Sequence, residues 1–253
     1  MPTGEDLRSK LENKVVQLRV PSKTSNQKYD CAGAFVGDPD AGPWTLYDRV
    51  QISRVQLKSN QLHLEGRRVF VTFGPGQSWK MVEVLSKDQV KLDVGCPSAT
   101  DQRWLAAALP EVFLKDPMEL LAVAPMYWQW YLKCGLGSNL PNAAQGAALS
   151  PPQITPGIAT ASSPGIEAPK LKDTHDPEYS PEAKAARIEG TSILQGVVGV
   201  DGSFRQVFIR RPLGWGLDEK AVEAVEKWRF EPAQKDGKPI PVTISIQVNF
   251  HLY

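Results

Sequence analysis

The sequence lacks the features that mark a membrane-embedded or nucleic-acid-binding protein. It has no run of about 18 apolar residues, so we predict no membrane-spanning segment. Its amino-terminal residues also lack the apolar core of a signal peptide, which fits a cytoplasmic protein or a mature chain with an added Met1. A net charge of +1 gives no electrostatic basis for binding nucleic acid or an anionic membrane.

Residues and motifs that carry catalysis are equally scarce. The three histidines, His63, His175 and His251, share no metal-ligand spacing. No phosphate-binding loop, dinucleotide-binding glycine motif or nucleophile elbow is present. We therefore expect no metal, no cofactor and no catalytic residue, and an enzyme is the least favoured class of function.

The chain has only three cysteines, Cys31, Cys96 and Cys134, too few and too scattered for a metal site. Cys96 and Cys134 flank one predicted helical stretch, so they are the candidate disulfide pair in an oxidising compartment. Three small buried thiols are the alternative.

What the sequence does contain is a sharp change of composition near its middle. Residues 136–175 are rich in Pro, Ala, Ser and Gly and have almost no large apolar side chain. Ordering this segment would cost backbone entropy with little burial in return. We predict a semi-rigid linker that separates a domain of residues 1–135 from a domain of residues 176–253.

The first domain is predicted to be β-rich. Strand-like segments are separated by turns rich in Gly, Pro, Asn and Asp, a pattern typical of a small antiparallel barrel or sandwich. The predicted strands are 15–20, 29–35, 47–57, 61–73, 80–85 and 89–94. A short helix precedes them, and a helical stretch from about residue 101 to 131, broken near Pro110, Pro117 and Pro125, follows.

This helical stretch ends in a cluster of large side chains, Met126-Tyr127-Trp128-Gln129-Trp130-Tyr131. On a helix these side chains would point in all directions, so some must meet another surface. Packing against the β-rich domain is one explanation. A platform for a partner or a glycan is the other, because aromatic faces suit both.

The second domain has clear signals for helix, strand, strand, helix and strand. Ser180 followed by Pro181 starts a short helix, and Asp201-Gly202 joins strands 191–200 and 204–210 in a hairpin. The apolar stripe of the second helix is Leu217, Ala221, Ala224, Val225 and Trp228. The order of elements is therefore helix, strand, strand, helix and strand, and the whole chain is predicted to be α+β.

The last strand alternates without interruption between apolar and polar residues. The apolar residues are Val242, Ile244, Ile246, Val248, Phe250 and Leu252, and the polar residues are Thr243, Ser245, Gln247, Asn249 and His251. Period-two patterning predicts one buried face and one wet face. If this strand pairs beside the first strand of the hairpin, it forms a sheet edge with unpaired backbone groups. The polar row is then either a solvated face or the border of an added strand.

A series of short motifs in the second domain resembles the TonB carboxy-terminal domain family. The motifs are Tyr179-Ser180-Pro181-Glu182-Ala183, Arg187-Ile188-Glu189-Gly190-Thr191, Val200-Asp201-Gly202, Leu217-Asp218-Glu219-Lys220-Ala221, Lys227-Trp228-Arg229-Phe230-Glu231-Pro232, Asp236-Gly237-Lys238-Pro239 and Val248-Asn249-Phe250. The resemblance covers residues 176–253, and it implies a carboxy-terminal domain in which a three-stranded antiparallel sheet packs on helices.

The resemblance implies a periplasmic protein that binds an extended segment of an outer-membrane TonB-dependent transporter, or of another envelope protein, for energy-coupled transport. The segment would add as a strand beside the last strand of the domain. The implied partner-binding residues are Val242, Thr243, Ile244, Ser245, Ile246, Gln247, Val248 and Asn249, with Asp176 and Tyr179 near the bound segment. The alternative is an envelope adaptor that uses the module only for protein binding, without energy transduction.

This organisation predicts that a cut in the linker leaves both domains folded. Limited proteolysis near Ala148 should release two protease-resistant fragments, because few buried contacts are expected there. Rapid digestion of either fragment after that first cut would contradict the predicted division.

Overall fold

The computed structural model describes residues 3–74, 81–116, 119–133 and 158–252. The chain divides into two compact units: unit 1 is Met1–Thr72 with Met81–Val123, and unit 2 is Phe73–Lys80 with Ala124–Tyr253. Strands and helices occur in both units, so the protein is α+β. Every helix in the described ranges is too short or too polar to cross a bilayer.

Unit 1 is built around a five-stranded sheet. Its elements are α1 (Gly4–Leu11), β1 (Val15–Gln17), β2 (Asn26–Tyr29), α2 (Trp44–Tyr47), β3 (Arg49–Lys58), β4 (Gln61–Phe73), β5 (Met81–Gly95), α3 (Trp104–Val112) and α4 (Leu120–Val123). The strand order is β1-β3-β4-β5-β2, so β1 and β2 are the two edges in the described part of the chain. The predicted small antiparallel barrel or sandwich is therefore wrong for these residues, which form one open five-stranded sheet.

Several local predictions for unit 1 differ from the structure. The predicted strand 29–35, for example, is β2 at Asn26–Tyr29. Strand β5 runs through residues 86–88, where a turn was predicted, and Ser86 Oγ accepts from Asp88 N within this stretch at 2.8 Å. Helix α3 likewise continues past Pro110 to Val112. A helical break does occur at Pro125, while Pro117 lies outside the described residues.

The prediction of an all-antiparallel sheet also fails, because β2 pairs with β5 in parallel, with Tyr29 opposite Val94. Parallel pairing brings the carboxyl ends of the two strands to the same end of the sheet. Cys31 and Cys96 follow those ends and form a disulfide. The predicted pair Cys96–Cys134 is therefore wrong: Cys96 is already bonded to Cys31, and Cys134 lies outside the described residues.

The disulfide should contribute substantially to the stability of unit 1. It closes a loop with a sequence separation of 65 residues, which corresponds to roughly 4 kcal/mol in the loop-entropy description. Replacing both Cys31 and Cys96 by Ser should lower the urea midpoint of unit 1 under non-reducing conditions. Adding a reductant should lower the wild-type midpoint but not that of the double variant. Equal midpoints for wild type and variant would contradict this assignment.

Unit 2 contains the remaining elements. They are α5 (Met126–Tyr131), β6 (Ala159–Thr160), β7 (Ile166–Glu167), β8 (Lys170–Asp173), α6 (Pro181–Ala185), β9 (Gly190–Val198), β10 (Phe204–Arg211), α7 (Leu217–Val225), β11 (Arg229–Glu231), β12 (Ala233–Lys235), β13 (Lys238–Ile240) and β14 (Val242–Phe250). The central sheet has the order β10-β9-β14-β6. The predicted order of helix, strand, strand, helix and strand is present as α6, β9, β10, α7 and β14.

The β9–β10 hairpin has a longer loop than the Asp-Gly signal predicted. Residues 199–203 form the loop, with Gly199 N donating to Ser203 O at 2.9 Å. Gly202 has φ +74°, and a Cβ atom there would lie 2.0 Å from Phe230 O. This position therefore requires glycine for its conformation and for the close approach of the backbone.

Helix α7 covers the buried face of the sheet. Its residues Leu217, Ala221 and Val225 are buried, as predicted from the stripe. The helix ends at Val225, however, so Trp228 lies beyond it. Trp228 is half-buried, and its indole N–H donates to His175 O at 2.9 Å.

Residues on both sides of the predicted linker belong to unit 2. Helix α5, predicted as part of the first domain, lies in unit 2 and packs on β10. Residues 158–175, predicted as linker, contain β6, β7 and β8, which pair with β14, β12 and β11. Residues 136–157 lie outside the described ranges.

Candidate functional site

The candidate site is the side of β14 that faces away from β9. The two strands pair antiparallel from Val242 opposite Val198 to Phe250 opposite Gly190, with no register shift. The side chains of Val242, Ile246, Val248 and Phe250 are buried. The alternation of the sequence thus places one face of β14 in the core of unit 2, as predicted.

The backbone of β14 alternates in the same way as its side chains. Thr243 O accepts from Ala161 N at 3.2 Å, so the backbone of Thr243 points away from β9. Because successive residues of a strand point their backbone groups to opposite sides, Ser245, Gln247 and Asn249 also present N–H and C=O groups on that side. We call the outward backbone groups of these four residues the β14 edge.

The chain itself occupies the beginning of the β14 edge. Strand β6 pairs in parallel with β14, with Ala159 opposite Val242 and Thr160 opposite Thr243. The first two of the predicted partner-binding residues 242–249 thus already pair with β6. Residues 244–249 have no second neighbouring strand among the described residues.

The opposite edge of the sheet, β10, is less suitable for adding a strand. Its pairing with β9 is irregular between Arg205 and Phe208 and again between Ile209 and Arg211. Gln206 has φ +53°, and helix α5 packs against this strand. Bulges and a covering helix are common means of protecting an exposed sheet edge.

Two further predicted site residues lie before α6. Tyr179 packs edge-on against Phe250, with a distance of 5.5 Å between ring centroids, so it lies at the carboxyl end of β14. Asp176 is exposed. Ser180 caps α6 by accepting from Ala183 N at 3.1 Å, and its hydroxyl donates to Trp215 O at 2.6 Å.

A buried carboxylate holds the partner strand of β14 in place. Asp218 accepts hydrogen bonds from Ser192 Oγ at 2.6 Å, Leu213 N at 2.9 Å and Gly214 N at 2.7 Å. Asp218, which lies in α7, therefore connects this helix to β9 and to the segment that follows β10. Burial raises the pKa of Asp218 to about 6, against the lowering effect of these donors. The sequence showed Asp218 only as an acidic residue in the first turn of a helix.

The neighbouring Glu219 joins α7 to α5. Glu219 Oε1 accepts from Trp128 Nε1 at 2.8 Å, and the Trp128 side chain is fully buried. Trp128 was predicted either to pack on the β-rich domain or to form a platform. Its ring is buried and its centroid lies 6.0 Å from that of the Phe73 ring in β4, as the first alternative predicted, and it is also bonded to α7. Met126, 72% exposed, is the residue of the cluster that faces solvent most.

Burial raises the pKa of Glu219 to about 8, and the nearby Asp218 carboxylate adds to the rise. The ordinary pKa of a glutamate is 4.5. Between this pH and about pH 8, Glu219 is protonated more in the folded state than in the unfolded state. The free energy of unfolding therefore falls as the pH rises across this range.

We expect unit 2 to lose roughly 1 kcal/mol of stability between pH 7 and pH 9. In Glu219→Gln this loss should be much smaller, because the amide oxygen still accepts from Trp128 but does not titrate. Urea denaturation monitored at α7 amide signals measures both values. The same pH dependence in wild type and variant would show that Glu219 is not its source.

Comparisons with known proteins agree with the motifs of the second domain. The family model described as Gram-negative bacterial TonB protein C-terminal matches residues 175–252. Residues 175–252 thus match the TonB carboxy-terminal domain family, as the resemblance predicted. The family match includes α6, β9, β10, α7 and β14, and therefore the β14 edge.

The individual relatives are TonB proteins of two bacteria. Protein TonB of Vibrio cholerae is 31% identical over 110 residues, which is 40% of this chain and 45% of that protein. Protein tonB2 of Pseudomonas aeruginosa is 34% identical over 77 residues, 30% of this chain and 28% of that protein. The chain thus spans less than half the length of these curated relatives.

A solved structure, the solution NMR structure of the Pseudomonas aeruginosa TonB CTD, was also matched. The alignment has 22% identity and a TM-score of 0.30, and it covers 38% of this chain and 95% of that chain.

Proposed function

We propose that unit 2 binds an extended segment of an outer-membrane transporter as an added strand on the β14 edge. We further propose that the protein acts in the periplasm in TonB-type energy transduction. The family assignment of residues 175–252 supports the type of role, and the geometry of β14 supports the mode of binding.

The observation that carries the proposal is the row of outward backbone groups on Ser245, Gln247 and Asn249. Each of these residues offers one N–H and one C=O in the spacing of a sheet, beyond the two residues that pair with β6. Each backbone hydrogen bond makes a net contribution of about 1 kcal/mol to the free energy of binding. A short guest strand can therefore gain much of its affinity from the backbone alone.

Side chains of the guest would add specificity on the buried side of the sheet. A strand beside β14 places alternate side chains next to Ile246, Val248 and Phe250, whose side chains form the apolar row under the edge. Tyr179 lies against Phe250 at the end of this row. We expect the guest to carry an apolar residue at every second position, and Asp176 to lie near its end.

The proposal predicts that removing one outward N–H weakens binding. Gln247→Pro removes a backbone donor that points away from β9, a position where an edge strand tolerates proline. We expect at least about a tenfold loss of affinity, because a donor is lost and the proline ring fills its place. The probes are synthetic peptides covering the periplasm-facing segments of outer-membrane transporters of the same genome, titrated by calorimetry.

The matched control is Gln247→Thr, which changes the side chain but keeps the backbone N–H. It should bind the peptides with nearly wild-type affinity, since the guest pairs with the backbone. Amide spectra should show that both variants keep the β9–β14 pairing. Peptide binding that is unaffected by Gln247→Pro, in a folded variant, would refute strand addition at this edge.

A further inference from the structure

The segment of residues 158–173, which we call the strap, lies directly before the family domain and is tied to unit 2 at three places. Strand β8 pairs with β11, with Phe230 opposite Leu171, and β7 pairs with β12, with Gln234 opposite Glu167. The third attachment is β6 on β14. The first strand of the strap, β6, thus pairs with the β14 edge, to which we propose that a guest binds.

The three attachments differ in extent. Strand β8 pairs through three residues of β11, and Trp228 Nε1 bonds to His175 O just beyond it. Strands β6 and β7 each pair through only two residues, and the side chains of β6 add little burial because Ala159 is half-buried and Thr160 is exposed. The attachment of β6 therefore depends on backbone hydrogen bonds, while the rest of the strap holds it close to β14.

A turn separates β6 from the rest of the strap. Ser163 N donates to Thr160 O at 3.0 Å, Ile166 N donates to Ser163 O at 3.3 Å, and Gly165 has φ +75°. Because β7 and β8 lie beyond this turn, β6 can leave β14 without loss of the pairing of β7 and β8 with β12 and β11.

We propose that β6 is an inhibitory strand, which competes with the guest for the outward backbone of Thr243. This inference rests on the proposed function of the β14 edge. With β6 bound, the edge offers Ser245, Gln247 and Asn249; with β6 displaced, it gains the N–H and C=O of Thr243. Since β6 is tethered to the same molecule, its effective concentration is high, and the guest must displace it to pair along the whole edge.

The parallel direction of β6 also indicates how a guest is accommodated. The pairing of Ala159 with Val242 and of Thr160 with Thr243 shows that this side of β14 accepts a parallel strand in the folded unit. A guest that pairs only with residues 245–249 would lie end to end with β6. A longer guest would replace it.

The test weakens β6 without changing β14. In the whole 253-residue chain, Ala161→Pro removes the N–H that donates to Thr243 O. Ala161→Ser is the control, because it keeps this N–H. Two quantities are measured: hydrogen exchange of the Thr243 amide, and the affinity for the transporter-segment peptides described above.

We expect faster exchange at Thr243 and about three- to tenfold tighter peptide binding in Ala161→Pro, with wild-type values in Ala161→Ser. Unchanged exchange at Thr243 in Ala161→Pro would overturn the assignment of β6 as a covering strand. Faster exchange with unchanged peptide affinity would overturn the competition.

The failure of the proposed function has a different signature. If no peptide binds to wild type or to either variant while Thr243 exchanges faster in Ala161→Pro, the guest is not a transporter segment. That result refutes the proposed partner, and the competition with it, while the covering of Thr243 by β6 stands.

Discussion

The uninterrupted register between β9 and β14 is the constraint on which the rest of unit 2 depends. Because the two strands pair without a bulge from Val242 to Phe250, the side chains and the backbone groups of β14 alternate together. One set of side chains fills the core, and the backbone groups of the intervening residues point to the open side. A shift by one residue would expose Ile246 and Val248 and turn the outward N–H groups towards β9. The buried face and the β14 edge therefore have one common cause.

This register is itself supported by polar contacts in the core. Asp218 bonds to Ser192 of β9 and to the backbone before α7, so the strand and the helix cannot move independently. Glu219 and Trp128 extend the same support to α5, which packs on β10. Both carboxylates are costly to bury, as their raised pKa values show. The hydrogen bonds that the two carboxylates accept offset part of this cost and fix the sheet that presents the β14 edge.

The parts of the fold that could be predicted from the sequence are those in which the pattern and the structure are local. The alternation of residues 242–250 predicted β14 and its buried face, and Ser180-Pro181 predicted the start of α6. Strand β6 could not be found in this way, because two residues joined through their backbone leave no side-chain pattern. The disulfide between Cys31 and Cys96 depends on the parallel pairing of β2 with β5, strands far apart in sequence. The roles of Asp218 and Glu219 likewise depend on distant partners.

The central claim is that a guest pairs with the outward backbone of β14, and amide hydrogen exchange on binding tests it most directly. A saturating transporter-segment peptide should slow exchange at Ser245, Gln247 and Asn249. The exchange rates of the Ile246 and Val248 amides should not change, because these N–H groups already bond to β9. A bound peptide that leaves the three outward amides at their original exchange rates would contradict the account.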